Sequence, residues 1–394
     1  MAHTLHIFPS TAAVEAHHRS TMEETGVILG ISALTLRRLA EEISRTAGEE
    51  VRLISNVGRK LLLEEMVREQ YAESTGHYAP LKDFPGFVGA LDLLFGELKQ
   101  GLINSGQFAA GARHLHCGPN LAELAALFAR YNNALDRREL IDRNDQELTA
   151  IRHLQQGGIL PQLFEEVGNV AMHAIYDLTP LQIALVAELS RRLPVKLHLP
   201  YNPGRESLYA YAAKTAEAVE SLDNSNLSLE PVFAESSGVF LTPLLEALFA
   251  GSELKHTAFT APGPMALLAA PGAYRECEDI GRRVRALLEE GVDPGRVAVL
   301  FRDLKNYGPM LEDVCRRFRI PVSSRRGAPL HTAPLVKACL SPFAVVRSNF
   351  SRDEIISLCN SSYFAPAGGG VSPDIIEEVL LGARYIDETS GTVE

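Results

Sequence analysis

The chain has 394 residues, 46% of them hydrophobic and 22% charged, with a formal net charge of −11. That balance excludes long disorder, and the length accommodates about two or three domains at roughly 100–200 residues each. The acidic charge excludes a simple nucleic-acid-coating protein and leaves room only for a locally basic groove.

In chain order, His6–Phe8 reads as a buried strand, followed by a helix over Thr11–Glu24 that Ser10 can cap. Val27–Ser32 and Val51–Ser55 read as further strands, with helices over Leu34–Thr46 and Leu61–Tyr71. Tyr78–Arg152 is almost entirely helical in pattern, with runs at Phe84–Gly89, Leu91–Ile103 and Leu121–Leu135, and reads as a helical insertion between strands. Strands at Val170–Ala174 and Val195–Leu199 flank a helix over Pro180–Leu193. Ser221–Pro264 is weaker, rich in Ser, Asn and Pro, with one helical run near Leu241–Phe249, and Ala261–Pro264 reads as a linker. Strands at Met265–Ala270 and Val297–Phe301 then bracket a helix over Glu276–Glu290. Ser351–Glu394 holds two short helical patterns around a Gly-rich loop, and the chain is expected to be a piece of something longer. Buried strands alternating with helices predict an α/β fold, with parallel sheets covered on both faces.

No apolar run reaches the roughly 18 residues of a membrane span, and the N-terminus lacks the features of a signal peptide, so a cytoplasmic protein with no membrane partner is expected. The five cysteines, Cys117, Cys277, Cys315, Cys339 and Cys359, form no CxxC pair and read as reduced thiols. His114-Leu-His116-Cys117 supplies three donors too tightly spaced to close around one ion without a distant ligand, and no metal site is predicted. His3, His6, His17 and His18 read as surface residues near a chain end. Gly368–Gly370 lacks a preceding strand and reads as a loop rather than a nucleotide cradle.

Val170-Ala-Met-His-Ala-Ile-Tyr-Asp-Leu-Thr-Pro-Leu-Gln182 carries the most information. It resembles the segment around the DExQ box of UvrD-like superfamily 1 helicases, where a strand ends in Asp-Glu. In that family the Asp holds Mg²⁺ and the Glu polarises the attacking water. The two acidic places are His173 and Ala174 here, while Asp177, Thr179 and Gln182 keep the flanking pattern. Ala174 cannot act as a base, and an imidazole is a poor ligand for hard Mg²⁺. Val195–Tyr201 with Glu206–Tyr211 looks like the following helicase strand and helix. Glu276–Pro321 is similar to the start of a second motor domain, in which the counterparts of Phe301 and Arg302 face the adenine and the γ-phosphate. A motor also needs G-x-x-x-x-G-K-[ST] after its first strand. Here Pro9-Ser-Thr-Ala-Ala-Val-Glu15 follows, with neither Gly nor Lys.

Lost phosphate loop and lost acidic pair together resemble the helicase-like half of the AddB component of AddAB-type helicase–nucleases, over Leu5 to about Tyr385. The resemblance implies two RecA-like (P-loop NTPase-like) parallel-sheet units. The first spans 1–264 with its insertion at about 78–152, the second starts over 265–346, and a truncated helical insertion begins over 347–394. It implies a non-motor, DNA-binding role in double-strand break repair and recombination, on single-stranded DNA or a duplex end, beside an AddA-type partner subunit. This chain is expected to lack ATPase and nuclease activity and to hold no cofactor. The full-length protein is expected to be an exodeoxyribonuclease, its nuclease domain lying beyond residue 394 with Mg and an iron–sulfur cluster.

Ser10, Thr11, Gln182, Phe301 and Arg302 then form a vestigial nucleotide site, and Tyr209, Tyr211, Arg316, Arg317, Arg325 and Arg326 are the DNA-binding candidates. Each has a plainer reading. Ser10 can simply cap a helix, Arg302 can pair with Asp303 or Glu312, and the arginines can form a solvated helix face. Two alternatives stand beside the main one: an ATP-binding helicase with an unusual phosphate site, and a doubly wound protein with a small-ligand crevice and no DNA.

Overall fold

The computed structural model describes residues 3–27, 30, 32–47, 52–73, 75–114, 118–158, 160–200, 209–222, 224–232, 266–322, 330–364 and 372–387. The chain divides into two compact units, Met1–Gly263 and Pro264–Glu394.

The first unit is built on five parallel strands, β1 (His3–Phe8), β2 (Ala33–Thr35), β5 (Val167–His173), β6 (Val195–Leu199) and β7 (Leu227–Pro231). They lie side by side in the order β2-β1-β5-β6-β7. Helix α1 (Thr11–Thr25) links β1 to β2, α8 (Pro180–Ser190) links β5 to β6, and α9 (Ala210–Glu220) precedes β7. The chain thus winds one way from β1 and the other way from β5. That reversal opens a crevice at the carboxyl ends of these two strands.

Register puts Leu5, Val170, Val195 and Leu227 in one row and Ile7, Met172, Leu197 and Leu229 in the next. These rows share a face because alternate residues of a strand point to opposite sides. That face is buried under α2 (Leu36–Thr46), α7 (Arg143–Gln155), α8 and α9, which contribute Leu39, Ile43, Ile151, Leu154, Leu185, Leu189, Ala216 and Val219 to one core. On the opposite face His173, His198 and Glu230 stand in register, with Phe8 stacked on His173. No residue of α1 is buried, and it meets this second face through His17. Among the described residues the sheet is therefore dry on one face and only partly covered on the other, a correction to the expected two-sided burial. The alternation in Leu5-His6-Ile7-Phe8 and in Val195-Lys-Leu-His-Leu199 explains it, since the polar member of each pair needs access to water.

A second core lies in the helices between β2 and β5. Leu62, Leu63, Met66 and Val67 of α3 (Asn56–Gln70) pack with Phe87, Leu91, Phe95 and Leu98 of α4 (Pro85–Gln100) and with Leu127, Phe128, Tyr131 and Leu135 of α6 (Gly118–Arg137). Phe84–Gly89 and Leu91–Ile103 form one helix, α4, because Gly89 inside a helix costs only about 1 kcal/mol. Helix α5 spans Ser105–His114. Short parallel strands β3 (Arg52–Leu53) and β4 (Leu140–Ile141) pair where the chain enters and leaves this helical part.

The two cores meet at a buried polar knot. Lys99 of α4 places Nζ 2.7 Å from Asp142 Oδ2 and 2.7 Å from Asp145 Oδ2, and Tyr131 donates to Asp142 Oδ2 at 3.0 Å. Asp142 is also the N-cap of α7, in a capping box with Asp145. Burial pushes both carboxyls up, but the Lys99 ammonium draws Asp142 below its ordinary value. Asp145 stays raised because Asp142 adds its own charge.

In the second unit, helices Ala273–Glu289 and Leu304–Arg317 pack through Cys277, Val314 and Cys315. A Cβ on Gly281 would stand 2.5 Å from Val314 Cγ1, so this close approach requires glycine. Helices Pro334–Arg347, Arg352–Cys359 and Pro373–Gly382 follow. Residues 266–270 and 297–301 form no strand among the described residues, against expectation, and Leu300 is 91% exposed. An apolar run becomes a strand only when a neighbour takes its backbone hydrogen bonds. The strand expected over Val27–Ser32 lies partly outside the described residues, and a strand follows it at Ala33–Thr35. The Ala261–Pro264 linker, the Leu241–Phe249 run, Gly368–Gly370 and His116–Cys117 lie outside the described residues.

Candidate functional site

At the carboxyl ends of β1, β2 and β5 lies a cleft of about 450 Å³ lined by Phe8, Ser10, Thr11, Thr35, Arg37, Glu147, Asp177 and Gln182, among others. Three helices begin around it. Ser10 Oγ accepts from the amide of Ala13 at α1, and Thr35 Oγ1 from the amide of Arg38 at α2. At α8 Thr179 and Gln182 form a capping box, with Gln182 N–H donating to Thr179 Oγ1 at 3.3 Å and Thr179 N–H to Gln182 Oε1 at 3.1 Å. Ser10, Thr11 and Gln182 stand out in the sequence, and the fold brings these three together. Ser10 and Gln182 also serve as caps.

Helix N-termini and Arg37 favour an anion here, but Glu147 and Asp177 oppose one. Burial raises the Glu147 carboxyl above its ordinary value, against the pull of Arg37. Neither Arg37 nor Glu147 stands out in the sequence. They are brought to the cleft by the packing of α2 on α7, which no local pattern reveals.

His173 does not line this cleft. Its Nε2 lies 2.8 Å from Nδ1 of His6 on the other face of the sheet. Its ring stacks on His198 at 4.9 Å and 8°, and on Phe8 at 5.0 Å. His17 of α1 lies 4.6 Å from His6, and His198 Nδ1 is 3.3 Å from Glu230 Oε2. Four imidazoles thus gather where a surface location was expected for His6 and His17. Burial, with His6, His198 and His17 adding to it, lowers His173 to about 4. Burial likewise lowers His6 and His17. At about 4, His173 is uncharged at pH 7, and an uncharged imidazole stacks where a charged one would be repelled.

Ala174 turns the chain out of β5 at φ 53°, a left-handed conformation that costs an L residue about 1 kcal/mol. Ala174→Gly is expected to stabilise the protein by about 1 kcal/mol, raising the melting temperature by about 3 °C in calorimetry. An unchanged or lower melting temperature would show that the turn stores no strain.

In the second unit Phe301 stacks on Tyr307 at 4.8 Å, and Tyr307 donates to Glu276 at 2.9 Å. Arg302 is exposed. The carboxylate of Asp303 is taken by the amides of Lys305 and Asn306 at the start of the next helix. Arg317 donates to Tyr274 at 2.7 Å and Glu278 at 3.0 Å, tying two helices together, while Arg316 pairs with Asp313 at 3.4 Å. Tyr209 packs half-buried against the sheet core, and Tyr211 is exposed. Tyr201, Arg325 and Arg326 lie outside the described residues. Among the described residues no three His, Cys, Asp or Glu side chains are placed to hold a metal ion, and no helix is long and apolar enough to cross a membrane.

The family described as ADDB, N-terminal, matches residues 5–241, more than half of the chain. The chain belongs to the AddB N-terminal family. All seven strands named above, the cleft and the imidazole row lie within, or begin just before, the matched region of this AddB-type domain. The chain is also similar to AddB proteins of several bacteria, each named as a subunit of an ATP-dependent helicase/deoxyribonuclease. It is 22% identical over 384 residues to that of Desulfitobacterium hafniense (strain DSM 10664 / DCB-2), covering 86% of this chain and 30% of the relative. It is 24% identical over 355 residues to that of Moorella thermoacetica, covering 84% and 30%. For that of Desulforudis audaxviator it is 25% over 391 residues, covering 90% and 32%. The chain therefore spans about 30% of the length of these AddB relatives.

Proposed function

We propose that this chain is the non-motor, DNA-binding, helicase-like part of a helicase–nuclease subunit that acts in double-strand break repair and recombination. The observation that carries this reading is the cleft at the ends of β1 and β5. A RecA-like parallel sheet frames it, but the sequence after β1 holds no glycine or lysine and β5 ends in His173-Ala174 in place of an acidic pair, while Glu147 and Asp177 line the cleft. A nucleotide there would meet two carboxylates and one guanidinium. The relatives' names support a place in a two-activity complex, and the proposal includes a helicase-type partner subunit of AddA type. Nuclease activity, with any metal or iron–sulfur cluster it uses, is assigned to other parts of such a protein. Of the DNA-binding candidates among the described residues, Tyr211 is exposed, while Arg316 and Arg317 are engaged within the second unit.

The test is fluorescence anisotropy of a labelled duplex with a single-stranded tail, at two salt concentrations, with and without ATP. Binding is expected to weaken steeply with salt, with a log–log slope of about −0.9 per phosphate neutralised on duplex, and to ignore ATP. DNA-stimulated ATP hydrolysis that Arg302→Ala abolishes would overturn the non-motor reading and favour the ATP-binding alternative.

A further inference from the structure

The helical part of the first unit contains a second cleft, of about 340 Å³, where the end of α4 and the start of α5 meet α6 and α7. Leu102, Ile103, Phe128 and Leu148 form its apolar walls. Lys99, Asn104, Ser105, Asn132, Asp145 and Arg152 supply its polar lining. Asn132 donates its Nδ2 to the carbonyl of Phe128 at 3.1 Å, which leaves Oδ1 as an acceptor. Arg152 lies at the cleft and makes no ion pair among the described residues. Asp145 also borders the space, with Lys99 Nζ contacting both of its oxygens, at 2.8 and 2.7 Å.

The mouth is built at a cost. Helix α4 ends at Gln100 with Gly101 as its C-cap, yet the left-handed residue is the next one, Leu102, at φ 58°. The amides of Leu102 and Ile103 donate back to Lys99 at 3.0 Å and Leu98 at 2.8 Å, which locks the turn. Glycine would take this conformation without strain. Leucine there instead places two apolar side chains, 40% and 38% exposed, beside the opening. The left-handed conformation costs a leucine about 1 kcal/mol relative to glycine.

Apolar walls, the Asn132 and Ser105 side chains and one unpaired guanidinium suit a flat ring with a hydrogen-bonding edge joined to an anion. We propose that this cleft captures one unstacked base of single-stranded DNA, with Leu102, Ile103 and Leu148 against the base and Arg152 on its phosphate. The inference rests on the DNA-binding reading above and locates a base contact within it. Stacking and apolar contact are sequence-tolerant, so no preferred base is implied.

The experiment compares anisotropy of a labelled oligothymidine with that of an abasic strand of equal length and charge, using the full chain. Wild type is expected to bind the base-bearing strand about tenfold more tightly, the value of roughly one stacked base. Arg152→Glu is expected to weaken binding to both strands. Leu102→Gly, which relieves the strained turn, is expected to raise the melting temperature while reducing the preference for bases. A purely structural Leu102 would not separate those two readouts. Equal affinity for both strands would overturn the base pocket and leave DNA binding intact. No binding to either strand would overturn the DNA-binding reading. Thymidine monophosphate, titrated by NMR against the same protein, would then decide the pocket alone: perturbation lost in Arg152→Glu keeps it, and no perturbation rejects it.

Discussion

Lys99→Ala is expected to destabilise the first unit by about 3–5 kcal/mol, the usual cost of removing one partner from a buried ion pair. Lys99 is 5% exposed, and its ammonium bridges Asp142 and Asp145. Without it two carboxylates would face each other in a desolvated pocket, with only the Tyr131 hydroxyl and the α7 amides to satisfy them. One of them would have to take up a proton near neutral pH. Because Asp142 also caps α7, and α7 carries Ala150, Ile151 and Leu154 into the sheet core, the damage would reach both cores. The measurement is urea unfolding followed by far-UV circular dichroism. A companion variant, Lys99→Met with Asp142→Asn and Asp145→Asn, is expected to recover most of the loss, since Asn caps helices as well as Asp and the charges leave together. A loss below about 1 kcal/mol in Lys99→Ala would show that water reaches the knot.

Acid is expected to loosen the same unit well above the range in which most carboxylates titrate. His173 is lowered to about 4, while an unfolded histidine titrates near 6.5. Between those values the unfolded chain binds a proton that the folded protein refuses. The contribution is complete above about pH 6.5 and is lost progressively as the pH falls toward 4. His6 and His17 shift in the same direction, so they add to the slope. The groups facing the row are His3 and His6 on β1, His17, His18 and Glu24 on α1, His198 on β6 and Glu230 on β7. The rings are only partly buried, and solvent screening reduces each share. About 2 kcal/mol is expected to be lost between about pH 7.5 and about pH 5. His173→Phe keeps a ring between Phe8 and His198 but cannot titrate, and its stability should fall less over that range. An equal fall in both proteins would place the acid sensitivity elsewhere.

Much of the frame is legible in the chain itself. Short apolar runs ending in turn residues mark β1, β5 and β6, because a buried strand needs little more than that. Periodicity and capping residues mark α1, α2 and α8, and Thr179 with Gln182 is a capping box readable from spacing alone. Strand β7 escapes such a reading because Leu227-Ser-Leu-Glu-Pro231 carries neither β-branched nor aromatic residues, and its pairing with β6 is what makes it a strand. The run at Val297–Phe301 errs the other way, apolar enough for a strand but without a neighbour among the described residues.

The candidate site divides along the same line. By itself the sequence determined what is lacking, since the absence of glycine and lysine after β1, and of carboxylates at His173 and Ala174, is a matter of residue identity. It also determined the α/β alternation and the family. Only the tertiary structure decided what fills those places. Arg37 and Glu147 meet because α2 packs on α7, and Lys99 meets Asp142 across 43 residues of chain. His6, His173 and His198 meet because parallel register sets three strand ends side by side. Such contacts follow from which surfaces bury each other, a property of the whole fold that no window of sequence contains.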